Sequence, residues 1–323
     1  MRQSRPDAAI ILVGKAYFEP LLRHFGLHDA YWPLPTKTQG LKAWLYFWHF
    51  RQQVLQRGEP LVYINLLNSW RSDLEALCVG APIRLGLRRG RPRWPFLTHT
   101  FDVEALAAGV PLHQTRVAEA FFQSFGGGPA FDCSPFSLSH LPLPAHLQAV
   151  VQGAGPCARV MGCIVGSENN PAKRWPVEHW SAFLGMVSQQ WPDMSLLLLG
   201  TPKDKPIAQA IASGLLAEFP QARVHVLAGE TDLVSCAALL ARCTVVVGHD
   251  TGGMHLASAL GIPVVGLYGG GTHPSYAAPP FHSLLRCLTP ETDPRDRPPQ
   301  VASMSAILPR EVLDTLKQML DWV

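Results

Sequence analysis

Nowhere in the 323 residues is there an apolar run long enough to span a bilayer. The N-terminal stretch MRQSRPDAAIILVG has too short an apolar core, and no small-residue cleavage site, for a signal peptide. These two absences lead to the expectation of a soluble, cytoplasmic protein. Charge is scarce as well: Asp, Glu, Lys and Arg make up 16 % of the chain and the formal balance is only +3, which gives no ground for a nucleic-acid partner. Seven cysteines are scattered without a C-x-x-C pair, so they read as reduced core thiols rather than a disulfide framework. There is no Asp-x-Asp motif and no His/Cys cluster at ligand spacing, so no metal site is expected. No G-x-G-x-x-G follows a predicted strand, which argues against a Rossmann dehydrogenase.

What is plentiful is apolar material, 47 % of the chain, enough to fill the cores of two ordinary domains. The Gly-Ala-Gly-Pro stretch at 153–156 is the best boundary, giving domains 1–155 and 156–323. In the second half, apolar runs at 159–165, 195–199, 224–227, 244–248 and 264–268 alternate with amphipathic stretches at 177–190, 206–218, 233–242 and 253–260. A last amphipathic helix covers 309–322. Strands alternating with helices of this length predict βαβ units, a parallel sheet and helices on both faces. The first half is less regular. It reads as strand 8–14, helix 17–25, strand 30–34, an aromatic-rich helix 41–57, a strand near 61–67, helix 68–79, a short strand leading into a Pro/Arg loop to 95, and helix 102–125.

The sharpest motif is HDTGGMHLASALGIP at 249–263, which follows TVVVG and opens a helix. In open α/β sheets ligands sit at the carboxyl ends of strands, where a helix N-terminus offers unpaired N–H groups to an anion. Thr251, Gly252 and Gly253 would let the backbone approach a diphosphate. Asp250 can accept from sugar or ribose hydroxyls, and His255, one turn on, can donate to a phosphate. Standing alone, the same string reads as an N-cap and a tight turn. It is accompanied, however, by PAKRWP at 171–176, where Pro176 suits the first turn of the next helix. That puts Lys173 on a loop at the same sheet edge, able to neutralise charge on a departing nucleotide diphosphate. Ser167 and Asn169 supply short polar groups beside it. A glycine turn, GGGTHP at 269–274, follows the last predicted strand and is expected to line the same site.

Together these segments resemble the heptosyltransferases of glycosyltransferase family 9, which build the inner core of lipopolysaccharide. The family pattern is Lys-x-Trp-Pro after the first strand of the C-terminal domain, then Asp-(Ser/Thr)-Gly-x-x-His-Leu-Ala-x-Ala-Leu, then Pro and a strand ending in a glycine turn. All of it stands here in order. The resemblance extends more loosely through RPDAAIILVG, NLLNSWRS at 65–72 and GAPIRLG at 80–86. It implies the GT-B architecture: two Rossmann-like domains facing across a cleft, with donor on the C-terminal and acceptor on the N-terminal domain. It also implies inverting, metal-independent transfer of a sugar from a nucleotide-diphosphate donor, ADP-heptose in this family, to a lipid-linked saccharide acceptor. Lys173 would then be catalytic, and Ser167, Asn169, Asp250, Thr251, Gly252, Gly253 and His255 would bind the donor.

One departure matters. The family begins with a first strand and a Gly-Asp turn before the segment matched by RPDAAIILVG, and the Asp of that turn is taken as the base. This chain starts at what would be the second strand, so no base is carried over. A fragment, a misplaced start, or a rebuilt domain inactive in transfer would each account for it.

In the first half, Arg84, Arg88, Arg89, Arg91 and Arg93 crowd one segment beside Trp94. For a phosphorylated acceptor, Arg88 and Arg89, with Arg71, would supply forked hydrogen bonds; the plainer reading is a solvated basic loop. Trp44, Phe47, Trp48 and Arg51 lie at helical spacing, as in a helix packed on its own sheet or one touching a membrane surface. Two functional alternatives stay open: a nucleotide-sugar-binding protein without transfer activity, and a GT-B transferase using another nucleotide sugar.

Overall fold

The computed structural model describes residues 6–34, 41–56, 61–67, 69–107, 112–127, 131–138, 140–152, 159–167, 170–281, 284–290 and 303–321. The chain divides into two compact units, Met1–Glu19 with Gly26–Phe131, and Pro20–Phe25 with Asp132–Val323. The stretch 153–156, chosen from sequence as the boundary, lies outside the described residues.

The chain opens with β1 (Ile11–Lys15), α1 (Glu19–Phe25), β2 (Ala30–Leu34) and α2 (Leu41–Leu55). It continues through β3 (Val62–Asn65), α3 (Trp70–Val79), β4 (Ile83–Arg88), β5 (His99–Asp102), α4 (Val103–Ala107) and α5 (Gln114–Ser124). All pairings are parallel, but they fall into two separate sheets, β1–β2 and β3–β4–β5. Helix α3 is well delimited: the Ser69 side chain caps it by accepting from the Ser72 N–H, and Gly80 closes it at φ 66°. Phe47 and Phe50 of α2 are buried with Val79 and Ala81, against Ile11, Val13, Leu61 and Tyr63. Helix α2 is thus packed within its own unit, while Trp48 stays exposed and the Trp44 side chain lies outside the described residues. The expected single helix at 102–125 is corrected by the structure. His99, Thr100, Phe101 and Asp102 pair with β4, and two helices follow.

The second unit holds α6 (Ala145–Gln152), β6 (Val160–Ile164), α7 (Val177–Gln190), β7 (Ser195–Leu199), α8 (Lys205–Glu218), β8 (Arg223–Val226) and α9 (Leu233–Leu240). Then come β9 (Val245–His249), α10 (Gly252–Ala259), β10 (Val264–Leu267), α11 (Pro274–Ala277), β11 (Leu285–Leu288) and α12 (Pro309–Leu320). Its sheet is continuous and parallel, in the order β11-β10-β9-β6-β7-β8. Every residue of β6, β7, β9 and β10 is buried, as expected of strands covered on both faces. One face packs on α7, α8 and α12 through Trp175, Trp180, Phe183, Ile211 and Leu316; the other packs on α9 and α10 through Leu239, Leu240, Met254 and Ala257. Chain order reverses between β6 and β9, so this pair marks the topological switch point, where such sheets open a crevice at the strands' carboxyl ends.

Candidate functional site

The three sequence motifs meet at that switch point because β10, β9 and β6 are neighbours in the sheet. Their last residues align, Leu267 with His249 and Ile164 with Gly248, so the loops that follow leave the sheet side by side. Lys173 Nζ donates to Asp250 Oδ2 at 3.0 Å, and Asp250 Oδ1 lies 3.0 Å from His255 Nε2. The Asp250 side chain is only 9 % exposed, against 20 % for Lys173 and 39 % for His255. Burial pushes the Asp250 carboxyl upward, but hydrogen bonds from His255 and Lys173, with their charge, outweigh it and hold the pKa below the usual value. Asp250 is therefore a fixed anion gripped from two sides, with His255 the more accessible partner.

Helix α10 starts immediately beyond it. Thr251 is the extended N-cap residue, but no side chain caps the helix; the Thr251 hydroxyl donates instead to the His249 carbonyl at 3.3 Å. Backbone N–H groups in an uncapped first turn, together with the helix dipole, favour an anion there. The two glycines differ in role. A Cβ on Gly252 would meet nothing within 4 Å, so its lack of a side chain keeps space open rather than relieving a clash. A Cβ on Gly253 would lie 2.8 Å from Ile164 Cδ1, so this glycine allows α10 to pack closely on β6.

The loops are fastened largely by residues of these same motifs, through contacts that the sequence did not reveal. His249 is fully buried at the end of β9, and its Nε2 accepts from the Trp175 backbone N–H at 2.8 Å. Burial, chiefly, pushes its pKa down to about 4, which keeps the ring neutral and able to accept. Trp175 Nε1 in turn donates to the Ile307 carbonyl at 2.9 Å, tying the loop to the segment before α12. Asn170 Nδ2 donates to the Gly270 carbonyl at 2.9 Å, and a Cβ on Gly270 would strike the Ala172 carbonyl. The glycine turn therefore lies directly on the Lys173 loop. Tyr276 donates to the Gly271 carbonyl at 3.0 Å, and its phenol is raised by burial and by the nearby Asp250 charge. Ser167 is buried just beyond β6, whereas Asn169 lies outside the described residues.

The arginines of the first unit do not act as one cluster. Arg93 is buried and paired with Asp73, also bonding the carbonyls of Leu87 and Leu67; Arg84 is held by the carbonyls of Phe96 and Ala81, each at 2.6 Å. Both serve the fold. Arg88 pairs with Asp102 at the carboxyl ends of β4 and β5, Arg89 donates to Gln114 at 3.0 Å, and Arg71 is exposed beside Glu75.

A parallel α/β unit with an uncapped helix start and a lysine at its switch point, preceded by a second unit of parallel strands, is the arrangement of the GT-B class. Within that class, the chain belongs to glycosyltransferase family 9, the heptosyltransferases, whose pattern it matches over residues 48–296. It is 28 % identical over 304 residues to lipopolysaccharide heptosyltransferase 2 of Escherichia coli, covering 88 % of this chain and 81 % of that protein. It is 38 % identical over 120 residues to lipooligosaccharide heptosyltransferase 2 of Haemophilus influenzae, a match that spans 37 % of this chain and only 34 % of that relative. The solved E. coli ADP-heptose LPS heptosyltransferase II superposes with a TM-score of 0.76 at 24 % identity, covering 99 % of this chain and 92 % of that one.

Proposed function

We propose that this chain transfers a heptose from ADP-heptose to a lipopolysaccharide core acceptor, inverting the anomeric centre and needing no metal. The observation that carries the reading is the Lys173–Asp250–His255 constellation beside the uncapped start of α10. The donor's diphosphate lies over the first turn of α10, against the open space at Gly252. As the bond from the anomeric carbon to the diphosphate oxygen breaks, an acceptor hydroxyl oxygen bonds to that carbon from the opposite face and gives up its proton to solvent water. The nucleotide diphosphate departs with the electron pair. Lys173 and the α10 N–H groups stabilise the charge that develops on it, an arrangement that works because it is fixed in advance. Asp250 orients both Lys173 and His255 and accepts from donor hydroxyls. The name carried by the E. coli structural relative supports ADP-heptose as donor. On the acceptor side, Arg71 is the exposed cation, while Arg88 and Arg89 would have to share their present partners with the acceptor's phosphates.

A second reading, donor binding without transfer, is favoured by the interrupted sheet of the first unit. Product formation separates the two: incubation with ADP-heptose and a heptose-deficient lipopolysaccharide core yields ADP and an extended saccharide under the first, and a bound, unconsumed donor under the second.

A further inference from the structure

Helix α3 wears its apolar side outward. Its buried positions are Ser72, Asp73, Ala76 and Val79, two of them polar. Its solvent side carries Trp70, 75 % exposed, with Leu74 and Leu77 also exposed. These three stand at i, i+4 and i+7, which makes one stripe along a helix; an ordinary surface helix turns such a stripe towards the core. The inward face can be polar because its polar groups are satisfied. Asp73 is paired with Arg93, and Asn65 Nδ2 donates to Asp73 at 2.9 Å and to the Ser72 hydroxyl at 3.1 Å. The fold therefore holds α3 in this orientation and leaves the stripe uncovered.

The apolar surface extends beyond the helix. Arg93 bonds the Leu67 carbonyl as well as Asp73, which fastens the next residue, Trp94, near the first turns of α3. Trp94 is 82 % exposed, and Leu66 and Leu67, just ahead of the helix, are exposed too. A single exposed leucine, such as Leu216 on α8, needs no account, but two tryptophans and four leucines in one region of surface do. The aromatic helix α2, which the sequence offered for membrane contact, turns Phe47 and Phe50 into its own core instead.

Charge selects the occupant. Residues 62–97 hold six arginines and two carboxylates. Of the carboxylates, Asp73 is buried against Arg93, and Glu75 is paired with Arg71, whose own side chain is exposed beside the stripe. Arg91 is exposed three residues ahead of Trp94. A second copy meeting this face across a two-fold axis would set arginine against arginine with no free carboxylate to oppose them. An anionic lipid surface meets both features, since it accepts tryptophan and leucine at the headgroup level and attracts arginine. We propose that the outer face of α3, with Trp94, docks on an anionic lipid surface. Trp70, Leu74, Leu77 and Trp94 enter the headgroup layer, and Arg71 and Arg91 meet the lipid phosphates.

Co-sedimentation of the 1–323 chain with vesicles of phosphatidylglycerol and phosphatidylethanolamine, beside vesicles of phosphatidylcholine alone, tests this. Neither kind carries a saccharide acceptor, so the result is independent of whether the chain transfers heptose. Binding to the anionic vesicles should be on the order of tenfold stronger than to the neutral ones. Leu74→Gln combined with Leu77→Gln should lower it on the order of tenfold at an unchanged melting temperature. Trp94→Ser, outside the helix, should lower it as well, whereas Trp48→Ser on α2 should leave it unchanged. The proposal is overturned by absence of binding, by equal binding to the two kinds of vesicle, or by full binding in both the Leu74/Leu77 and the Trp94 variants. It is equally overturned by a dimer that forms as protein concentration rises and vanishes in those variants, which would assign the stripe to a second copy.

Discussion

His249 and Trp175 are joined across 74 residues of chain by one hydrogen bond, the Trp175 backbone N–H donating to the His249 ring at 2.8 Å. The bond holds the Lys173 loop to the end of β9, and hence sets Lys173 against Asp250. His249→Phe removes the acceptor and leaves a buried N–H unpaired, a change expected to cost about 1–3 kcal/mol in the unfolding of the second unit. Urea unfolding measures that loss, and ADP affinity should fall in parallel; a variant of unchanged stability and affinity would show that the bond does not position the loop.

The same ring gives a pH dependence. His249 has a folded pKa of about 4 against an unfolded value of 6.5. Its contribution is therefore complete above pH 6.5 and is lost progressively as pH falls towards 4, because the unfolded chain takes up a proton that the folded one refuses. The loss over that window should be about 3 kcal/mol at most. His249→Asn should flatten the slope between those pH values, whatever its own stability.

Lys173→Ala is expected to lower turnover on the order of a hundredfold while changing the melting temperature little, because the lysine is partly exposed and Asp250 keeps His255 as a partner. Lys173→Arg should recover part of the loss. Steady-state kinetics on a heptose-deficient core, beside a thermal melt, checks both; full turnover in Lys173→Ala would remove the lysine from the reaction.

Two glycine substitutions should part company. The Cβ of Gly252→Val meets no protein atom within 4 Å, so the variant should fold normally and lose nucleotide binding through bulk in the ligand's space. Gly270→Ala drives a Cβ into the Ala172 carbonyl at a position with φ 57°, so it should lower stability as well as affinity. Normal affinity in Gly252→Val would move the ligand away from the start of α10.

In the first unit, Arg93→Ala leaves Asp73 buried without its cation and should cost about 3–5 kcal/mol, whereas Arg71→Ala should change stability by less than about 0.5 kcal/mol. If Arg71 meets the acceptor, its loss raises the acceptor KM and leaves the donor KM alone.

How much of this was legible beforehand depended on burial. In the second unit, runs such as Val245–His249 and Ser195–Leu199 are apolar and covered on both faces, so their strands were placed within a residue or so. That Lys173, Asp250 and the glycine turn share one sheet edge followed from each standing just after a strand of a parallel sheet, whereas the strand order that makes them neighbours was not legible. Strands β5 and β11 were missed because His-Thr-Phe-Asp and Leu-Arg-Cys-Leu are short, mixed in polarity and largely half-exposed, and so carry no clear period. His249 gave no signal beyond a polar residue ending an apolar run. The Asp73–Arg93 pair joins residues 20 apart, so the sequence showed only a basic loop where the structure has a buried anchor.

On the proposed reading, the α10 start and Lys173 form a donor site for an adenine nucleotide. Calorimetric titration of the 1–323 chain with ADP and with UDP, without added metal, tests it most directly. The expected result is one site per chain, ADP binding on the order of tenfold or more tighter than UDP, and loss of that binding in Gly252→Val. Equal affinity for the two nucleotides, or binding of neither by a chain that melts cooperatively, would contradict it.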